Sequence, residues 1–229
     1  MANLAIIPAR GGSKRIPRKN IKAFLGKPII AYSIEAALNS DLFDEVMVST
    51  DDEAIANIAT HFGASVPFLR SDHNANDHAV LADVIVEVIA EYLKIGKTFN
   101  TICCILPTAP LLTAQALLEA HEKLMKFDFD SVFPVLEFSF PIQRALKIEH
   151  NKISMVWEEH LNTRSQDLES RYHDAGQFYW LKSDAFKSNK KLFTQNSGAI
   201  IISELEAQDI DTETDWRLAE IKFKLQQND

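Results

Sequence analysis

Ile7-Pro8-Ala9-Arg10-Gly11-Gly12-Ser13-Lys14-Arg15-Ile16-Pro17-Arg18-Lys19-Asn20 closes an apolar run that begins at Asn3. A short apolar run ended by Pro and a pair of Gly reads as a buried strand entering a loop. The loop is basic: Arg10, Lys14, Arg15, Arg18, Lys19 and Lys22 stand between residues 10 and 22 with no acidic side chain among them. Its small residues let backbone N–H groups approach a polyphosphate, and its cations neutralise charge that would otherwise repel an attacking anion. The spacing is not that of a Walker loop. Charge alone describes a solvated basic face equally well, so the rest of the chain has to decide.

Strand and helix patterns alternate beyond the loop. Pro28 opens a helical segment that places Ile30, Ile34, Ala37 and Leu38 on one face. Glu45 to Ser49 reads as a strand, followed by a helix with capping-box spacing at Thr50 and Glu53 and an end at Gly63. Ser65 to Leu69 reads as the next strand, and Val84, Ile85, Val88, Ile89, Tyr92 and Leu93 as the apolar stripe of a helix closed by Gly96. A strand over 101–106, a rigid turn at Pro107-Thr108-Ala109-Pro110, a helix from Thr113 and a strand from Asp130 to Leu136 continue the series. From 138 to 173 the rhythm breaks, and 145–149 and 153–157 read as a hairpin around His150-Asn151-Lys152. Strands at 176–182 and 198–203 and a terminal helix from Thr212 resume it. The expectation is a single α/β domain over residues 1–229, with a doubly wound, mostly parallel sheet and an inserted arm at 138–173. Ligands of such sheets sit beyond the carboxyl ends of the strands, so the loops after Pro8, Leu69 and Leu106 should converge.

The composition bounds the possible partners. With 46% hydrophobic and 24% charged residues and a net charge of −8, the chain lacks the broad basic field that a nucleic-acid surface needs. It shows neither a basic leader nor an apolar stretch long enough to span a bilayer. The expectation is a cytoplasmic protein without a nucleic-acid or membrane partner. Cys103 and Cys104 are adjacent in a strand pattern, so they should point to opposite faces as buried thiols. The seven His residues show no zinc-ligand spacing.

The other charged segment is Asp209-Ile210-Asp211-Thr212-Glu213-Thr214-Asp215-Trp216. Carboxylates at i and i+2 of an extended stretch point to one side and suit Mg²⁺ held against substrate phosphates. The same cluster ahead of a helix also serves as cap and dipole partner. The run Pro8-Ala9-Arg10, Ser13-Lys14, Pro17, Lys19-Asn20 resembles the signature of the acylneuraminate cytidylyltransferases, and the run from Asp209 to Asp215 resembles that family's Asp-x-Asp-Thr-x-x-Asp metal motif. Leu106-Pro107-Thr108-Ala109-Pro110-Leu111 is similar to the family's Gln-Pro-Thr-Ser-Pro-Leu-Arg turn, with Leu106 for Gln, Ala109 for Ser and Leu112 for Arg. Asp174-Ala175-Gly176-Gln177-Phe178-Tyr179-Trp180 resembles the family's pseudaminic acid branch, and Arg164-Ser165-Gln166-Asp167-Leu168 its Arg-Gln-Asp-Leu segment, with Ser165 in the usual Arg position.

The resemblance implies transfer of CMP from CTP to a nine-carbon acidic sugar, with Arg10, Lys19, Asp209 and Asp211 carrying the chemistry and Mg²⁺ on Asp209 and Asp211. It implies nucleotide contacts from Pro8, Ala9, Arg10, Gly11, Gly12, Ser13, Lys14, Lys19, Asn20, Arg70 and His78, with Asp77 beside them. Leu106, Arg164, Gln177 and Tyr179 would face the sugar, Asp215 would support the last helix, and 138–173 would serve as the arm of a homodimer. Leu106 cannot make the hydrogen bonds that Gln offers, which turns the expected acceptor from N-acetylneuraminate toward pseudaminate. Legionaminate, N-acetylneuraminate or, less favoured, 3-deoxy-octulosonate as the acceptor and, as another class, a catalytically idle nucleotide-binding module are the alternatives; the presence of Arg10, Lys19, Asp209 and Asp211 weighs against idleness.

Overall fold

A computed structural model describes residues 2–76 and 79–227. Asp77 and His78, named above, lie outside the described residues. The apolar run before the basic loop is strand β1 (Asn3–Pro8), and the chain returns through a two-stranded ribbon, β2 (Ala23–Phe24) and β3 (Lys27–Pro28), into α1 (Ile29–Asn39). There follow β4 (Glu45–Ser49), α2 (Glu53–His61), the single turn α3 (Asp72–Ala75), α4 (Leu81–Lys94), β5 (Thr101–Ile105), α5 (Ala114–Lys126) and β6 (Ser131–Glu137). The last third holds the hairpin β7 (Leu146–Glu149) and β8 (Lys152–Met155), then β9 (Tyr172–Asp174), β10 (Phe178–Lys182), α6 (Ser183–Asn189), β11 (Ser197–Ile201) and α7 (Glu213–Gln226).

The central sheet runs β11-β6-β10-β5-β1-β4. β1 pairs in parallel with β4 and β5, and β6 with β11. β10 enters antiparallel between β5 and β6, and β9 pairs antiparallel with β6. The sheet is thus mostly parallel, with β9 and β10 running against the other five strands. Period-two alternation along the strands sorts the core onto two faces. Ala5, Ile7, Cys103 and Ile105 pack on one side with residues of α1, α2 and α5, while Leu4, Ile6, Ile102 and Cys104 pack on the other against α4. The adjacent thiols therefore face opposite layers, as their spacing implies. Burial pushes both up, Cys104 to about 12, which leaves them unreactive. No helix among the described residues is long and apolar enough to cross a membrane.

Two local expectations need correction. Residues 65–69 do not form a strand: Ser65 makes an isolated bridge to Met47, exchanging bonds with Val46 and Val48 at 2.8 and 2.9 Å. Pro67 has no N–H to continue a ladder, and the chain next touches the β4 end where the Arg70 N–H donates to the Thr50 carbonyl at 2.8 Å. The N-cap of α2 is Asp52, whose carboxylate accepts from the Ala54 and Ile55 amides at 2.8 and 3.1 Å, in place of the Thr50 and Glu53 box. A capping box does form at α7, where the Thr212 side chain accepts from the Asp215 amide and Asp215 accepts from the Thr212 N–H. The arm hairpin turns through His150 and Asn151, both at positive φ, the conformation that two-residue hairpin loops favour.

Asp52→Ala should lower unfolding free energy by about 1 kcal/mol in urea denaturation. Asp52→Asn, which retains the cap, should stay close to the wild type, and Glu53→Ala should change it by less than about 0.5 kcal/mol.

Candidate functional site

A cleft of about 520 Å³ opens at the carboxyl ends of β1 and β5, where an open α/β sheet leaves room for a ligand. The basic loop gives it Arg10, Ser13, Lys14, Arg15 and Lys19; the loop after Pro67 gives Arg70; the turn after β5 gives Leu106, Pro107 and Thr108; and Asp209 closes its acidic end. Pro8 and Asn20 also line it, whereas Ala9, Gly11, Gly12 and Asp211 stand outside its wall.

The loop is held from below by the end of β4. The Ala9 N–H donates to the Ser49 carbonyl at 2.9 Å, and the Gly11 N–H to Asp51 Oδ1 at 3.0 Å. A Cβ at Gly11 would come within 2.8 Å of Asp52 Oδ2, so only Gly lets the loop lie this close to the α2 cap. Asp52 pairs with Arg18 at 3.2 Å. Arg18 adopts the left-handed region at φ 52°, where a non-Gly residue carries strain. Asn20 donates to the Arg10 carbonyl at 2.9 Å, and the Arg10 guanidinium to the Asn76 carbonyl at 2.9 Å.

Arg70 is only 7% exposed. It donates from Nε to Ser49 Oγ at 3.0 Å and from Nη2 to the Ser49 carbonyl. Burial lowers its pKa, with Asp51 and Glu87 opposing. An arginine stays charged under such a shift, so the cleft wall carries a fixed cation.

The acidic segment meets the basic loop directly. Lys19 Nζ donates to the Ile210 carbonyl at 2.6 Å and lies 3.6 Å from Asp211 Oδ1, while Arg15 Nη1 stands 2.7 Å from Asp211 Oδ2. Ile210, fully buried, packs with Ile16 of the loop and with Phe24, Ile29, Tyr32 and Trp216 in one cluster. Loss of hydration among the surrounding groups raises the Asp209 carboxyl first, the negative charge of Asp211 raises it further, and Lys19 opposes both. A carboxyl group raised by a neighbouring carboxylate is a setting that a cation relieves. No group of three or more His, Cys, Asp or Glu side chains among the described residues is placed to hold a metal alone. A cation at Asp209 and Asp211 would therefore take further ligands from phosphate and water, a preference of Mg²⁺.

Residues expected at the sugar end are less gathered. Leu106 lines the cleft, its N–H donating to the Gln177 carbonyl at 2.8 Å. The buried Gln177 side chain donates to the Glu206 carbonyl at 2.6 Å, and Tyr179 donates its hydroxyl to Asp174 Oδ2 at 2.7 Å; neither side chain is on the cleft wall. Burial, then the Asp174 carboxylate, raises the Tyr179 phenol, so it remains a neutral donor. Arg164 lies on the arm, exposed and paired with Asp167 at 2.7 Å. Ile16, Asn74, Asn76, Ala79, Leu81 and Val84 also line the cleft. Apart from Ile16 of the basic loop, none carried a motif in the sequence; the helical stripe that includes Val84 signalled core and not cleft.

The profile of the Cytidylyltransferase family matches residues 4–227. The chain is 44% identical to a pseudaminic acid cytidylyltransferase of Campylobacter jejuni, over 98% of this chain and 97% of that protein. It is 32% identical to a CMP-N,N'-diacetyllegionaminic acid synthase of Legionella pneumophila, over 99% of this chain and 98% of the relative. In three dimensions it resembles a CMP:2-keto-3-deoxy-manno-octonic acid synthetase complexed with CTP, at a TM-score of 0.70 and 17% identity, covering 100% of both chains. That last likeness supports the fold.

Lys19→Ala should weaken CTP binding about 10- to 100-fold, the loss of one charge-assisted bond of about 1.5–3 kcal/mol. Calorimetric titration with CTP in Mg²⁺ measures it, and a wild-type affinity would remove Lys19 from the nucleotide site.

Proposed function

The chain belongs to the cytidylyltransferase family, and on that premise we propose that the acidic sugar it loads with CMP from CTP is pseudaminic acid. The observation that carries the choice of sugar is the 44% identity to a pseudaminic acid cytidylyltransferase along nearly the whole of both chains. The presence of Leu106 in the cleft wall supports it, because an aliphatic side chain there leaves a buried sugar hydroxyl or amide without a partner.

In the reaction the anomeric hydroxyl oxygen of the sugar forms a bond to the α-phosphorus of CTP. The bond between the α-phosphorus and its bridging oxygen to the β-phosphate breaks, pyrophosphate leaves with that electron pair, and the hydroxyl proton is lost. Such a transfer needs positioning and charge neutralisation more than covalent chemistry. Arg10, Lys14 and Lys19 supply cations along the triphosphate, and Arg70, fixed to Ser49, supplies a buried one. Pro8, Ala9, Gly11, Gly12, Ser13 and Asn20 shape the loop that brings these charges to the phosphates. Asp209 and Asp211 would hold Mg²⁺; when bound, the ion places positive charge against phosphate oxygens as a Lewis acid. Gln177 and Tyr179 stand behind the cleft wall, their amide and phenol bonded to the Glu206 carbonyl and the Asp174 carboxylate, so either would have to release that partner to meet the sugar.

The proposal extends to the assembly and the compartment. We read residues 1–229 as one catalytic domain whose arm, 138–173, packs on a second copy and carries Arg164 toward the partner's cleft. Phe140, Ile148, Ile153 and Leu161 on the arm are each more than 60% exposed, an apolar area larger than a small hairpin buries against itself. A cytoplasmic location accords with the CTP donor and with two buried free thiols.

Pyrophosphate release with CTP should give the highest kcat/KM for pseudaminate, with N-acetylneuraminate and legionaminate lower. A preference for N-acetylneuraminate would overturn the acceptor while leaving CMP transfer intact. Light scattering should show a dimer at working concentration, and a fully active monomer would refute the exchanged arm.

A further inference from the structure

Each carboxylate oxygen of Asp211 faces a cation of the basic loop: Oδ1 looks to Lys19 Nζ at 3.6 Å, and Oδ2 to Arg15 Nη1 at 2.7 Å. The two cations are not equally held. Lys19 is 20% exposed and anchored to the Ile210 carbonyl at 2.6 Å, whereas the Arg15 side chain is 69% exposed. An exposed ion pair is weak and screened by solvent, so Arg15 is the group that yields. Its backbone does not travel with it, because the next residue, Ile16, is 1% exposed in the cluster that also buries Ile210. Arg15 lines the cleft beside Lys14 and Arg10. A guanidinium released from Asp211 there remains within the positively charged wall that faces an incoming triphosphate.

We propose that Arg15 is a placeholder and then a substrate ligand: it occupies Asp211 Oδ2 until a divalent cation takes that oxygen, and its guanidinium then turns to the triphosphate of CTP. The inference rests on the reading of Asp211 as a metal ligand. It explains how a site built from a basic loop and an acidic segment avoids collapsing permanently onto itself: of the two cations that neutralise Asp211 before CTP arrives, the one that covers Oδ2 is the more exposed. It also makes the cation and CTP bind cooperatively, since each removes a competitor of the other.

The two roles predict opposite effects of one substitution, which a purely structural residue would not produce. Arg15→Gln should bind Mn²⁺, followed by electron paramagnetic resonance on the nucleotide-free protein, about two- to fivefold more tightly, the range set by an exposed ion pair. The same variant should bind CTP in Mg²⁺, measured by calorimetry without acceptor sugar, about 10-fold or more weakly, as expected for a lost charge-assisted bond. Arg18→Gln removes an equal charge from the same loop, but Arg18 pairs with Asp52; its gain in Mn²⁺ affinity should be the smaller. Equal gains in the two variants, no gain in Arg15→Gln, or undiminished CTP binding by Arg15→Gln would each overturn the proposal. Asp211→Asn separates it from its premise. Mn²⁺ binding that survives Asp211→Asn refutes the metal assignment itself, whereas its loss there without a gain in Arg15→Gln refutes only the exchange.

Discussion

Ile16 and Ile210 bury their side chains in one apolar cluster around Phe24, Tyr32 and Trp216. That packing brings a loop carrying six cations to a segment carrying Asp209, Asp211, Glu213 and Asp215, although the Lys19 and Ile210 contact spans 191 residues of chain. Opposite charges by themselves would not hold such a junction, since exposed ion pairs contribute about 0–1 kcal/mol each. Burying an isoleucine is worth about 1.5–3 kcal/mol, and two of them fix the two backbones. Edge-to-face contacts of Phe24 with Tyr32 at 5.3 Å and with Trp216 at 5.6 Å brace the cluster. The charged groups are then free to exchange partners without loosening the fold.

The end of β4 provides the second support. Four consecutive residues, Ser49 to Asp52, accept hydrogen bonds or ion pairs from Ala9, Gly11, Arg18 and Arg70. A buried guanidinium is costly unless its donors are met, and Ser49 meets Arg70 through both its hydroxyl and its carbonyl. Net lowering of the Asp52 carboxyl follows because the α2 amides and Arg18 outweigh the burial that would raise it. Part of the stability supplied by Asp52 is thus present above the ordinary carboxylate range and is lost as pH falls through its depressed value. Order of the basic loop and capping of α2 share one side chain.

The two ends of the cleft differ in how completely one chain builds them. The phosphate end is a closed network of loop, β4 end and acidic segment. At the sugar end Gln177 and Tyr179 spend their polar groups on Glu206 and Asp174, and Arg164 sits on an arm whose apolar side chains face outward. On the proposed assembly, a second copy packed on that arm would cover those apolar side chains and stand beside this less gathered end.

Sequence alone determined what depends on local pattern. The strand ending at Pro8, the alternation of strands and helices, the opposite faces of Cys103 and Cys104, the Asp215 support of the last helix and the hairpin at His150-Asn151 all follow from side-chain period, backbone φ or capping chemistry within a few residues. The basic loop and the acidic segment were each legible as a dense run of one charge, and the structure joins them through Lys19 and Arg15. Contacts between distant residues were not legible. The shift of the α2 cap to Asp52 accompanies its pairing with Arg18; the loss of a strand at 65–69 turns on one missing N–H at the edge of β4; the antiparallel entry of β10 depends on the arm that precedes it. The pairing of Arg15 with Asp211 belongs to the same class. Nothing in the order of residues places those two side chains together, and only the burial of Ile16 against Ile210 does.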